Sequence, residues 1–188
     1  MQIHEFAGLR LVGGTALALQ LGHRKSIDID LFGSLNFEEL NPIVVFDKFM
    51  SVVSLKRSKN INILAIDGVK VDFVNYAYPW LQPIRSIDNI RLAAIEDIAA
   101  MKLAAIAGRG SKKDFIDIYF LLQAYTLEEL LKFYSLKYSD GSTMLVLKSL
   151  TYFDDAEKDP EIEVFKNFNW HDARHFIIKK VQLYLKTI

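Results

Sequence analysis

The chain has 188 residues, enough for one domain or one compact pair of subdomains. Its 23 basic and 23 acidic side chains cancel, which disfavours a protein whose main work is gripping a nucleic-acid backbone. Cysteine is absent, so disulfides, thiolate metal sites and cysteine nucleophiles are excluded.

The amino terminus lacks a basic segment followed by an apolar run, and no apolar stretch is long enough to span a bilayer. A protein without a signal peptide, without membrane contact and with a cytoplasmic location is therefore expected.

In chain order, Leu9–Val12 reads as a short strand stopped by Gly13-Gly14. Thr15 is placed to cap a helix from Ala16 to Leu21, which Gly22 ends. Ile27–Phe32 alternates apolar and acidic residues, the mark of a half-buried strand. Asn36 with Glu39 suggests a further helix start near Pro42. Ser51–Lys56, Asn60–Ile66 and Val69–Asn75 read as strands, the last two joined by the hairpin signal Asp67-Gly68. Beyond Ala93 the apolar period becomes helical. Helices are expected over Ile95–Ala107, Lys112–Gln123 (capped by Ser111 with Asp114 in third position), Leu127–Tyr138 (behind the capping box Thr126…Glu129), Thr143–Leu150 and Asp172–Leu185. An acidic linker, Asp154–Glu163, precedes the last of these. The expected fold class is α+β, a small mixed sheet with flanking helices and a helical carboxyl-terminal subdomain. The expected division is a core over 1–92 and the helical part over 93–188.

The chemistry centres on Ser26-Ile27-Asp28-Ile29-Asp30-Leu31. On a strand, residues two apart share a face, so Asp28 and Asp30 project together while Ile27, Ile29 and Leu31 pack inward. Adjacent carboxylates repel unless a cation lies between them, and carboxylate oxygens suit Mg²⁺. The alternative for the pair alone is an edge strand with an acidic solvent face. Gly13-Gly14-Thr15, between a strand and a helix, adds a backbone that can approach phosphate and a helix amino terminus that favours anions. Asp72, opposite the apolar face of Val69–Asn75, supplies a third carboxylate for a second metal position or for proton removal. Lys102 lies on an otherwise small and apolar helix, so its ammonium must snorkel or meet an anion, with a triphosphate favoured. Asp114 is either a capping acid or a site residue, and Asp117 is expected to pair with Arg109 or a lysine. His171 and His175, four apart beside Trp170, read as surface histidines rather than a zinc pair. His23 could meet phosphate or be an ordinary loop residue.

The ordered set Gly-Gly-Thr, Arg24-x-Ser26-x-Asp28-x-Asp30, Lys70-Val71-Asp72 and Lys102…Arg109…Lys113-Asp114-x-x-Asp117 resembles the AbiEii/AbiGii nucleotidyltransferase toxin family, within the DNA polymerase β-like superfamily. The resemblance runs from about residue 11 to 122. It implies transfer of a nucleoside monophosphate from an NTP to an acceptor hydroxyl, with RNA or tRNA favoured, and with Mg²⁺ or Mn²⁺ as cofactor. It also implies a possible cognate antitoxin. By the same resemblance Asp28, Asp30 and Asp72 are metal ligands, and Lys102 and Asp114 join them as catalytic residues. Gly13, Gly14, Thr15, Arg24, Ser26 and Lys102 are nucleotide-binding positions. The alternatives are a non-catalytic nucleotide-binding module acting through a partner, and an aminoglycoside-type enzyme with a small-molecule acceptor.

Overall fold

The computed structural model describes residues 4–35 and 45–187. The helix start expected at Asn36 and Glu39 lies outside them. Among the described residues, seven strands make one mixed sheet: β1 (Leu9–Val12), β2 (Ile29–Gly33), β3 (Val52–Arg57), β4 (Ile61–Ile66), β5 (Val69–Asn75), β6 (Arg85–Ile87) and β7 (Ile90–Leu92). Their order is β3-β4-β5-β2-β1-β7-β6. The β2–β5 and β1–β7 pairs are parallel and the remainder antiparallel. The β4–β5 hairpin turns on Asp67 and Gly68, both with positive φ, as its two-residue loop requires. The β6–β7 hairpin, absent from the sequence reading, turns in the same way on Asp88 and Asn89.

Six α-helices stand among the described residues: α1 (Gly13–Leu21), α2 (Ile95–Gly108), α3 (Lys112–Ala124), α4 (Leu127–Lys137), α5 (Thr143–Ser149) and α6 (Trp170–Leu185). The capping box before α4 is formed from both sides: the Thr126 hydroxyl accepts from the Glu129 amide and the Glu129 carboxylate accepts from the Thr126 amide. The acidic linker carries a single 3-10 turn, Ala156–Lys158, and its end pairs back onto the loop after α1 through Arg24 and Val164. One apolar interior runs through both halves, from Leu9, Leu11 and Phe73 of the sheet to Leu103 of α2, Phe115 of α3 and Ile177 of α6. Burial of such side chains, worth roughly 1.5–3 kcal/mol each, sets the helical layer against the strand-rich half. None of the described helices is long and apolar enough to cross a membrane.

Two local expectations are corrected. Helix α1 begins at Gly13 behind an extended Val12, so Thr15 lies inside the first turn and does not cap it. Strand β2 begins at Ile29, leaving Ile27 71% exposed, not packed inward. The apolar–acidic alternation continues one step beyond the last ladder bond, and pattern alone cannot mark where pairing stops.

Candidate active site

The register places the acidic residues. Asp30 of β2 lies directly beside Asp72 of β5 in the parallel pair, and beside Val12 of β1 on its other flank. Asp30 and Asp72 therefore share one face of the sheet, as equal register in a parallel pair requires. Asp28 stands just before β2, half-exposed, where the Lys113 ammonium approaches its carboxylate at 3.8 Å. The Lys70 ammonium donates to Asp72 Oδ2 at 2.8 Å and lies 2.7 Å from Oδ1.

Asp30 differs from its neighbours. Burial pushes its carboxyl pKa up, and the charges of Asp72 and Asp28 push it further, against partial relief from Lys70 and Lys102. The two flanking acids each have an ammonium close by; Asp30 feels its cations only through space. Among the described residues no group of three or more His, Asp or Glu side chains stands ready-made to hold a metal ion.

The Gly13-Gly14-Thr15 turn closes against this cluster. Gly13 has φ +69°, and a Cβ there would overlap Asp30 Oδ2. Only glycine serves both demands. A Cβ on Gly14 would overlap the Arg24 guanidinium and crowd the Ser26 hydroxyl. The Thr15 hydroxyl donates to the Asp28 carbonyl oxygen and lies 2.9 Å from the Ser26 hydroxyl, tying α1 to the acidic segment. Thr15 thus acts as a clasp where the sequence suggested a cap.

Behind the cluster lies a second group of charges, almost closed to solvent. The Lys102 ammonium, 4% exposed as a residue, sits 2.9 Å from Asp114 Oδ1 and 2.6 Å from Asp117 Oδ2. Arg24 donates to both oxygens of Asp117, at 2.7 and 2.9 Å. The His23 ring nitrogen Nε2 meets Asp117 Oδ1 at 2.7 Å. Arg109 donates to Asp114 with Nε at 2.9 Å, and the Ser111 hydroxyl donates to the same carboxylate at 2.7 Å. Burial alone would raise both aspartates, but the Lys102 ammonium and the surrounding donors win, bringing Asp114 to about 2 and Asp117 lower still.

Several expectations change here. The anions that meet Lys102 are Asp114 and Asp117, so its ammonium is engaged without a triphosphate. Arg24 is likewise committed to Asp117. Of the two partners expected for Asp117, the lysine is found, as Lys102, together with Arg24 and His23, while Arg109 goes to Asp114. Asp114 is not a backbone cap either: the Ser111 side chain donates to it and makes no capping bond of its own. His23 is fully buried. The spacing of Asp117 from Asp114, one helical turn, puts both acids on one face of α3, but the convergence of Arg24 and His23 on Asp117 has no local signal. His171 and His175 are exposed, as expected for surface histidines.

On the rim of this region Lys70, Arg109 and Lys113 are open positive charges, with side chains 44%, 60% and 41% exposed. The site is thus an open acidic row bounded by a glycine turn, rimmed by cations and braced from behind by buried ion pairs.

The sequence matches the family described as nucleotidyl transferase AbiEii toxin, Type IV TA system, over residues 2–175. An uncharacterised protein of Aquifex aeolicus (strain VF5) is 39% identical over 185 residues, covering 94% of this chain and 88% of that protein. Among solved structures, JHP933 from Helicobacter pylori aligns with a TM-score of 0.64 at 19% identity, covering 96% of this chain and 84% of its own. The nucleotidyltransferase toxin MenT4 from Mycobacterium tuberculosis H37Rv aligns with a TM-score of 0.59 at 14% identity, covering 93% and 75% respectively. At such identities the two structural likenesses speak for the fold. The family match, over nearly the whole chain and including the acidic row and glycine turn just described, makes this protein a member of the AbiEii nucleotidyltransferase toxin family.

Proposed function

We propose that the protein transfers a nucleoside monophosphate from an NTP to a hydroxyl of an RNA acceptor, with tRNA favoured, and that Asp28, Asp30 and Asp72 hold the divalent cation this needs. The observation that carries the proposal is the pairing of Asp30 with Asp72 in register, beside a glycine turn packed on the Asp30 carboxylate. The donor chemistry, all carboxylate oxygen, is that preferred by Mg²⁺ or Mn²⁺, and a bound cation would offset the burial and the like charges of Asp72 and Asp28 that raise Asp30. When bound, such a cation neutralises phosphate charge and lowers the pKa of an attacking hydroxyl.

The chain's own residues supply the remainder. The backbone of Gly13, Gly14 and Thr15, at the amino end of α1, meets the β- and γ-phosphates, with the Ser26 hydroxyl beside it. Arg109 and Lys113 on the rim meet phosphate oxygens. Lys113 gives up Asp28, and Lys70 gives up Asp72, as the site loads. The acceptor oxygen bonds to the α-phosphorus, the α–β bridging bond breaks, and pyrophosphate leaves. The hydroxyl proton passes to a carboxylate, a role assigned to Asp72. Arg24, Lys102 and Asp114 serve from behind, holding the Gly14 turn and the start of α3 in place. Residues 1–92 act as the catalytic core and 93–188 as a helical subdomain that walls it.

The toxin reading extends to a cognate antitoxin, expected to relieve growth arrest when co-expressed. Incubation with each α-labelled NTP, total cellular RNA and Mg²⁺ or Mn²⁺ tests the activity. Label in RNA, lost with chelator, is expected. Label in protein or a small molecule alone overturns the RNA assignment.

A further inference from the structure

The sheet face that bears Asp30 and Asp72 also bears a run of aromatic rings. Phe32 is two residues beyond Asp30 and so projects from the same face. Its ring lies 5.3 Å from Tyr76, which lies 5.4 Å from Tyr78, which in turn meets Tyr138 edge-on at 4.7 Å. Tyr78 is 43% exposed and Phe32 is half-buried. Phe32 rests on the core with part of its ring open, and the row continues outward to the more open Tyr78.

The support beneath is stiff. The Tyr76 and Tyr138 hydroxyls bond at 2.9 Å, tying the end of β5 to the end of α4. The Lys137 ammonium sits 5.0 Å from the Tyr76 ring centre and 4.6 Å from that of Trp80. It is fixed there by Asp97 at 2.6 Å and the Pro79 carbonyl at 2.8 Å. Lys137 and Asp97 are both buried, so the rings above are fixed by the interior.

Register decides which part of the reaction these rings face. Val12 pairs with Asp30, and Gly13 follows it, whereas Phe32 pairs with Arg10, two residues the other way along β1. The glycine turn and the aromatic run therefore lie on opposite sides of Asp30. In an in-line displacement the attacking and leaving oxygens also lie on opposite sides of the phosphorus. With pyrophosphate at the glycine turn, the acceptor enters over the aromatics.

We infer that Phe32 and Tyr78 form a stacking platform for the terminal nucleobases of a single-stranded RNA acceptor. A stacked base adds contact beyond charge neutralisation, and the exposed cations Lys70 and Lys113 stand on the rim for the backbone phosphates. The inference rests on the proposed transfer to RNA and deepens it. A nucleobase is offered by the NTP as well as by the acceptor, so the test separates the two.

A short single-stranded RNA with 2-aminopurine at its 3′ end reports stacking by fluorescence quenching, and a fluorescent NTP analogue reports nucleotide binding separately. Tyr78→Ala should weaken RNA binding about five- to a hundredfold, the range of one lost base–aromatic stack. NTP affinity should stay within about twofold, and Tyr78→Trp should restore RNA binding. Phe32→Leu, which removes the aromatic face at similar volume, should weaken RNA binding like Tyr78→Ala, with NTP affinity retained as the control against a general loss of structure. Loss of NTP affinity with intact RNA binding would give the rings to the incoming nucleotide and overturn the inference. RNA binding unchanged in both variants overturns it too, and if wild-type protein still labels RNA, the proposed activity stands without the platform. Wild-type protein that neither binds nor labels RNA overturns both.

Discussion

Two groups of aspartates, both near Lys102, are handled in opposite ways. Asp30, with Asp28 and Asp72 beside it, is held where its charge is unfavourable, and its carboxyl pKa is pushed up by burial and by like charges. Asp114 and Asp117 are buried more completely, yet theirs are pushed down, because Lys102, Arg24 and Arg109 surround them. Burial is the first influence on all three; the partners decide the sign. The open group keeps an unfavourable charge that Lys70 and Lys102 relieve only in part and that a bound cation would relieve further. The closed group has spent its charges on architecture, joining the loop after α1 to helices α2 and α3.

The largest effect belongs to the open group. Asp30→Asn should abolish nucleotide transfer while raising the stability of the metal-free protein by about 0.5–2 kcal/mol, since it removes a repelled charge. Turnover with each labelled NTP and a denaturant titration check the two halves; near wild-type turnover would remove the basis for the contrast.

The closed group should respond in the reverse sense. Asp117→Ala strands Arg24 and Lys102 in the interior and should cost about 3–5 kcal/mol of stability. Read from sequence, Lys102→Ala puts an apolar residue on a mostly apolar helix and looks harmless. The two carboxylates on its ammonium predict instead a destabilisation of similar order. Chemical denaturation measures both, and a Lys102→Ala variant as stable as wild type would mean that the network holds nothing together.

Acid sharpens the comparison. Asp114, depressed to about 2, contributes stability that is present above the ordinary carboxylate value of about 3.9 and lost as pH falls through about 2. Asp117 acts in the same direction. Asp30 is raised, so its contribution runs the other way: it is present at low pH and lost as pH rises through its folded value. Melting temperature against pH should therefore fall steeply below about pH 4 in wild type. The fall should be shallower in Asp117→Asn, and Asp30→Asn should leave it in place. A fall of equal steepness in Asp117→Asn would dissociate acid lability from this network.

The smallest effect tests the edge of the closed group. Ser111→Ala removes one hydroxyl that donates to Asp114 while Lys102 and Arg109 remain, and should cost about 1 kcal/mol. A change of several kcal/mol would show that the hydroxyl organises the start of α3 by more than this bond.

Much of the molecule was written locally. The Asp67-Gly68 hairpin, the Thr126…Glu129 capping box, strand Val69–Asn75 and the onset of helices after Ala93 follow from short-range rules of turn geometry, capping and apolar period, and the structure carries them. The β6–β7 hairpin was just as local; its signal, Asp88-Asn89 between two isoleucines, lay in three-residue strands too short to show alternation. The glycine turn and the acidic pair were also visible, because phosphate approach and metal binding demand particular residue types close together in sequence. What sequence could not give was partnership across distance. That Asp30 lies beside Asp72 depends on a parallel pairing between strands some forty residues apart. That Lys102 meets aspartates, that Arg24 is committed to Asp117 and that His23 is buried depend on helix packing. A side chain announces its charge locally, but which opposite charge answers it is settled only when the core brings distant segments into contact.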